Sequence, residues 1–100
     1  MTDVTIVYWR DIPAQVLVGR GRRAAKVQLS ERFEQAIDRA AMKAGMAGTD
    51  DYLAQWRRAE PFPSDAAGSD QDVANAEAER LEAEYDQERI KALVANDGWA

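Results

Sequence analysis

Residues 4–18, with the sequence VTIVYWRDIPAQVLV, contain the pattern from which the N-terminal half of the fold follows. The first six are almost all β-branched or aromatic, a composition typical of a half-buried strand. Residues 15–19 predict a second strand, and Pro13 predicts a turn over 11–14, because proline fixes its own φ and restricts the residue before it. A four-residue connection of this kind favours an antiparallel β-hairpin.

The next elements are predicted from apolar periodicity. Residues 25–29 alternate between apolar and polar side chains, which predicts a short third strand. Ser30 is a favourable helix N-cap, and Gly45 is a favourable helix end. Between these two residues the apolar side chains recur at helical spacing and predict one buried face: Phe33, Ala36, Ile37, Ala40, Ala41 and Ala44.

A second, shorter helix is predicted to begin at Thr49. Two aspartates follow this residue, and negative charge is favourable in the first turn of a helix. Tyr52, Leu53 and Trp56 are predicted to form its buried stripe. Pro61 and the proline two residues later are expected to end the helical region.

The charge distribution predicts a body followed by an extension. The chain has 100 residues and a net charge of −5, but residues 1–60 carry ten basic and eight acidic side chains, whereas residues 61–100 carry three and ten. We therefore predict an α+β domain over 1–60, a linker over 61–70 rich in proline, glycine and serine, and an acidic helical extension over 71–100. The extension is predicted to be one helix to about residue 95.

The composition excludes several classes of chemistry. The chain has no cysteine and no histidine, so thiol nucleophiles, disulfides, cysteine-ligated metals and imidazole-dependent triads are ruled out. No pair of carboxylates stands out as an acid–base dyad, and we predict no enzyme, no metal site and no cofactor. We expect neither nucleic-acid nor membrane binding, since the net charge repels phosphate and no apolar run could span a bilayer. Without a signal-peptide pattern at the N-terminus, we expect a cytoplasmic location.

Two groups of residues are candidates for binding. Gly19 and Gly21 lie in a turn that superficially resembles a phosphate loop but lacks the third glycine. The arginines of this turn offer forked donors for an anionic small molecule, an acidic protein or the chain's own acidic helix. An exposed cluster of aromatic and arginine side chains is typical of interface hot spots. The predicted binding residues are Trp9, Arg10, Asp11, Gln15, Arg20, Arg22, Arg23 and Lys26.

The sequence also resembles a known family. The run VYWRDIPAQV at residues 7–16, followed by GRR at 21–23 and TDDYL at 49–53, resembles the bacterial conserved "virulence factor" domain, over about residues 4–60. The resemblance implies no catalytic residue and no cofactor. Members occur alone or beside HEAT-like helical repeats, and isolated members are often encoded near folate- and corrinoid-dependent methyl-transfer proteins.

These observations support two functional hypotheses. The first is a non-enzymatic binding or accessory module that recognises a protein partner through the Trp9/Arg10 and Arg22/Arg23 region. The alternative is a small-ligand-binding or accessory subunit in one-carbon metabolism, in which the basic turn holds a polyanionic molecule such as a folate tail. The sequence leaves the oligomeric state open.

Overall fold

The computed structural model describes residues 2–19, 24–46, 48, 50–64 and 68–100 of the chain. The α+β class with an antiparallel sheet is confirmed. The elements follow in the order β1 (Thr2–Trp9), β2 (Ile12–Val18), β3 (Ala25–Gln28), α1 (Glu31–Lys43), α2 (Asp50–Ala54), β4 (Trp56–Arg58), β5 (Phe62–Ser64), α3 (Asp70–Glu84) and α4 (Gln87–Ala95). No helix within these described ranges is long and apolar enough to cross a bilayer.

The central strand of the sheet is β1. It pairs antiparallel with β2, which in turn pairs with β3, so the predicted third strand is present. The other edge of β1 is shared by β4, opposite its C-terminal half, and β5, opposite its N-terminal half. The predicted linker over 61–70 therefore contains a strand, while residues 65–67 within it lie outside the described residues.

The turn between β1 and β2 is tighter than the sequence predicts. Strand β2 begins at Ile12, so only Arg10 and Asp11 connect the strands, and the turn predicted over 11–14 is wrong. Proline at position 13 lies at an irregularity of the ladder opposite Tyr8 and beyond the part of β2 that pairs with β3, a position at which proline is tolerated in a sheet. The register skips Ala14 at a β-bulge between Val7 and Tyr8.

Helix α1 matches its predicted span and buries its predicted apolar face apart from Ala44, which is half-buried. Helix α2 differs from its prediction. It has five residues and none of them is buried, Leu53 is 64% exposed, and Trp56 lies in β4, so the predicted buried stripe is wrong. Such a short helix cannot present a full apolar face to a core, and its predicted cap, Thr49, lies outside the described residues.

The predicted single acidic helix is two helices. Helix α3 ends at Glu84 and α4 starts at Gln87, after Asp86, whose side chain accepts a hydrogen bond of 2.8 Å from the Arg89 backbone nitrogen. Ser69 caps the start of α3 through a reciprocal capping box with Asp72. The break lets the two helices pack in different places: α3 against β2 and β3, and α4 against α1.

Both C-terminal helices contribute to the hydrophobic core. Their buried side chains join those of β1, β2 and α1 in one cluster, and the contributors from α3 and α4 are Val73, Ala74, Ala78, Leu81, Ile90 and Leu93, with Tyr85 between the helices. The predicted division into a domain over 1–60 and an extension over 71–100 implies that the first part folds without the second. Because the cluster spans both regions, we expect a chain ending at Glu60 not to fold.

We predict that Leu81→Ala lowers the free energy of unfolding by about 2–5 kcal/mol, because Leu81 is 2% exposed and truncation leaves a cavity. The matched control is Leu53→Ala, which removes the same atoms from a surface position and should change stability by no more than about 0.5 kcal/mol. Urea denaturation of both variants measures the difference. Equal stability of the two would mean that α3 does not belong to the core.

Candidate functional site

Two of the predicted binding residues, Trp9 and Arg10, lie in the interior. Trp9 is fully buried, its indole nitrogen donates to the Tyr52 carbonyl at 3.0 Å, and its ring centroid lies 5.7 Å from that of Tyr52. Gly98 packs on the same indole, where an added Cβ would stand 2.9 Å from a ring carbon, and its φ of +94° also favours glycine. In this structure Trp9 is therefore not accessible to a partner.

Arg10 is 7% exposed and its guanidinium lies between two indoles, 5.1 Å from the ring centroid of Trp9 and 4.9 Å from that of Trp99. Its Nη1 donates to the Asp97 carbonyl at 2.7 Å, and its Nε donates to the Gln55 side chain at 3.3 Å. The residue adopts a φ of +53°, in the left-handed region that side chains other than glycine rarely occupy. These contacts join the β1–β2 turn to the C-terminal turn and to the residue before β4.

Asp11 completes this group of residues, which we call the Arg10 cluster. Its carboxylate accepts a hydrogen bond of 3.1 Å from Arg57 and another of 2.8 Å from the backbone nitrogen of Ala100. Arg57 also donates to the carbonyl of Arg10. The polar atoms of the Arg10 cluster thus bind other parts of the same chain, and partner binding through them stays a prediction.

The remaining predicted residues lie toward the other end of the sheet. Gln15 is half-buried on β2, and Lys26 is exposed on β3 beside Leu17. Lys26 and Arg58 both line a depression of about 600 Å³, as do Gly19 and Ala24. Neither Lys26 nor Arg58 has an ion pair among the described residues.

Asp3 and Glu60 line the same depression and bring negative charge to it. The three arginines of the predicted basic turn, Arg20, Arg22 and Arg23, lie outside the described residues.

A larger concave surface lies between α1 and α4, which run side by side in the same direction. At their N-terminal ends Arg32 donates to the Tyr85 carbonyl at 2.5 Å, and at their C-terminal ends Lys43 donates to the carbonyl of Ala95. The space between them, the α1–α4 groove, has a volume of about 770 Å³. Its apolar lining comes from both helices: Ala36, Ile90, Val94 and Ala95.

The rim of the α1–α4 groove is basic. Four cationic side chains and one carboxylate line it: Arg32, Arg39, Lys43, Lys91 and Asp86. This surface was not predicted, because residues 71–100 were expected to form a separate extension and not to lie beside α1. A signal was present, since Arg32, Arg39 and Lys43 recur at spacings of seven and four along one helix face.

Three side chains among the described residues have shifted pKa values. Burial raises the pKa of the Tyr8 and Tyr52 phenols, with nearby Tyr85 adding to the rise for Tyr8 and Asp38 for Tyr52, so both hydroxyls stay neutral near pH 7. The hydrogen bond from Arg80 to Glu77 raises the pKa of the Arg80 guanidinium. In the described ranges no group of three or more carboxylates is placed to hold a metal ion.

Comparison with known proteins places the chain in a family. A family model described as "Virulence factor" matches residues 7–94. The chain belongs to the virulence factor family. The match confirms the resemblance and extends it beyond residue 60, to α3 and nearly all of α4. Comparison with curated proteins and with solved structures gave no significant match.

In this virulence factor domain we predict that Arg10→Ala lowers the free energy of unfolding by about 2–4 kcal/mol, through the loss of the hydrogen bonds and of the stacking between indoles. Arg10→Gly should be less harmful by about 1 kcal/mol, because glycine accepts a positive φ without strain. Thermal and chemical denaturation compare the two variants with the parent. Parent-like stability of Arg10→Ala would contradict the structural role of the Arg10 cluster.

Proposed function

We propose that the chain is a non-enzymatic module that recognises a protein partner, and that the α1–α4 groove is its binding surface. The observation that carries this proposal is an apolar floor between two parallel helices, open to solvent and bordered by cationic side chains. Grooves with an apolar floor between helices are a recurring site for an amphipathic helix of a partner. The twelve residues from Arg32 to Lys43 span about 16 Å, or three helical turns.

A catalytic role has less support. The best-placed hydroxyl is that of Ser30, which donates to Glu82 at 2.7 Å. The same carboxylate also accepts from the Ser30 backbone nitrogen and pairs with Arg32 at 3.2 Å, so its contacts attach α3 to the start of α1. Turnover in a broad substrate panel that survives repurification would contradict a non-enzymatic role.

The test of the proposed function uses Val94→Gln, which makes the groove floor polar without adding charge. Proteins crosslinked to the parent chain in a lysate of the source cells should bind this variant at least about tenfold less, as expected when an apolar anchor position is lost. The matched control is Leu53→Gln at an exposed apolar position outside the groove, and it should bind like the parent. Circular dichroism and melting temperature confirm that both variants are folded.

The result that would contradict the proposal is a parent-like set of crosslinked proteins for Val94→Gln. A loss shared equally by Leu53→Gln would also contradict it, since the binding surface would then not be the groove.

A second candidate function is the binding of an anionic small molecule in the depression beside Lys26. Lys26 and Arg58 carry charges that no described carboxylate neutralises by an ion pair, and both line a space of about 600 Å³. This observation supports the small-ligand part of the alternative hypothesis, in which the two cations face Asp3 and Glu60 across the same space, and a role in one-carbon metabolism stays a proposal.

We predict that, under this second candidate function, folates, nucleotides or phosphorylated metabolites raise the melting temperature in proportion to concentration, through preferential binding to the folded state. Lys26→Gln should abolish the rise. No stabilisation by any member of the panel would exclude this candidate and leave protein recognition as the proposal.

A further inference from the structure

We infer that the occupant of the α1–α4 groove is an acidic amphipathic helix of about three turns, supplied by another protein. This inference rests on the proposed function and specifies the chemistry of the partner. Its basis is the contrast between the groove and the rest of the chain: four cations and one carboxylate line the groove, whereas the whole chain has a net charge of −5.

The cations of the groove differ in how they are engaged. Those at its ends are neutralised within the chain, because Arg32 pairs with Glu82 at 3.2 Å and Lys43 pairs with Asp97 at 3.3 Å. The two between them, Arg39 and Lys91, are exposed and have no ion pair with any described residue. The charge available to a partner is therefore concentrated in the middle of the groove.

Arg39 and Lys91 stand on opposite walls. Arg39 belongs to α1, and Lys91 belongs to α4 between Ile90 and Val94 of the floor. A helix with apolar residues at i, i+3 or i+4, and i+7 would place these on the floor, and carboxylates flanking that stripe would reach both walls. Opposite charges on both sides fix the rotation of the bound helix about its axis and favour acidic over basic partners.

A second copy of the chain does not provide such a helix. Among the described residues, α3 is the one acidic helix of three turns or more, but the large exposed apolar side chains lie outside it: Met42, Leu53, Trp56, Phe62 and Trp99. An acidic helix with large apolar anchors must therefore come from a different protein. Nucleic acid is disfavoured because the apolar floor between the cations offers no donors to phosphate.

The experiment uses the full chain and two synthetic helical peptides of fourteen residues with the same leucine stripe, one flanked by glutamates and one by lysines. Fluorescence anisotropy at low and physiological salt measures binding of each labelled peptide. The parent chain should bind the glutamate peptide at least about tenfold more tightly than the lysine peptide, with a preference that weakens as salt rises.

The decisive variant is Arg39→Glu combined with Lys91→Glu, which should reverse the preference between the peptides. Its gain of affinity for the lysine peptide also shows that the variant is folded. The control for overall charge is Lys26→Glu combined with Arg58→Glu, which reverses two exposed charges outside the groove, lowers the net charge by the same amount and should keep the preference of the parent.

Several results would overturn the inference: failure of the parent to bind the glutamate peptide at millimolar concentration, equal binding of both peptides, or no reversal in the double variant. Tighter binding of a single-stranded oligonucleotide, or concentration-dependent self-association that blocks the peptide, would also overturn it. In each of these cases a loss of the cellular partner by Val94→Gln alone would leave the proposed function standing, with a partner of different chemistry.

Discussion

The N–H groups of a buried guanidinium must be hydrogen-bonded within the protein, and the residues around Arg10 provide the acceptors. The acceptors come from positions far apart in the chain, namely the Gln55 side chain and the Asp97 carbonyl, and two indoles cover its faces. Leaving such a group without partners in the interior would cost several kcal/mol. The β1–β2 turn, the residues before β4 and the C-terminal turn are therefore held to one another.

The acidic C-terminal segment is attached by two different forces. Its apolar residues enter the core, where burial is worth roughly 25 cal/mol per Å² and is not weakened by electrostatic screening. Its charges act at the periphery, where Glu82 accepts from Ser30 and Arg32 at the start of α1. Exposed pairs of this kind contribute about 1 kcal/mol or less and are screened by salt, so the apolar contacts dominate the docking.

Local periodicity explains why some elements could be predicted and others could not. The strand β1 and the buried face of α1 depend on patterns within ten to fifteen residues, and the structure contains both. Helix α2 and β4 depend on tertiary pairing, which placed Trp56 opposite Trp9 in a strand. The break at Asp86 was missed because aspartate is also tolerated inside a polar helix, and only its capping hydrogen bond identifies its role.

The residues of the candidate site also depend on contacts between distant parts of the chain. Arg10 was predicted to be exposed because buried arginines are rare. Its burial depends on hydrogen-bond acceptors near residues 55 and 97, and their proximity to Arg10 cannot be recognised in the sequence. Conversely, Arg39 and Lys91 looked like ordinary solvated charges on separate helices. Their juxtaposition across the α1–α4 groove depends on how α4 docks against α1.

The groove is itself a consequence of the helix break. A continuous helix over residues 70–95 would be about 38 Å long and would continue along the direction of α3, over β2 and β3. The change of direction at Tyr85 and Asp86 instead lays α4 beside α1, with Arg32 fixed to the Tyr85 carbonyl. A local capping residue in the acidic segment therefore lets α4 both contribute to the core and form the basic groove with α1.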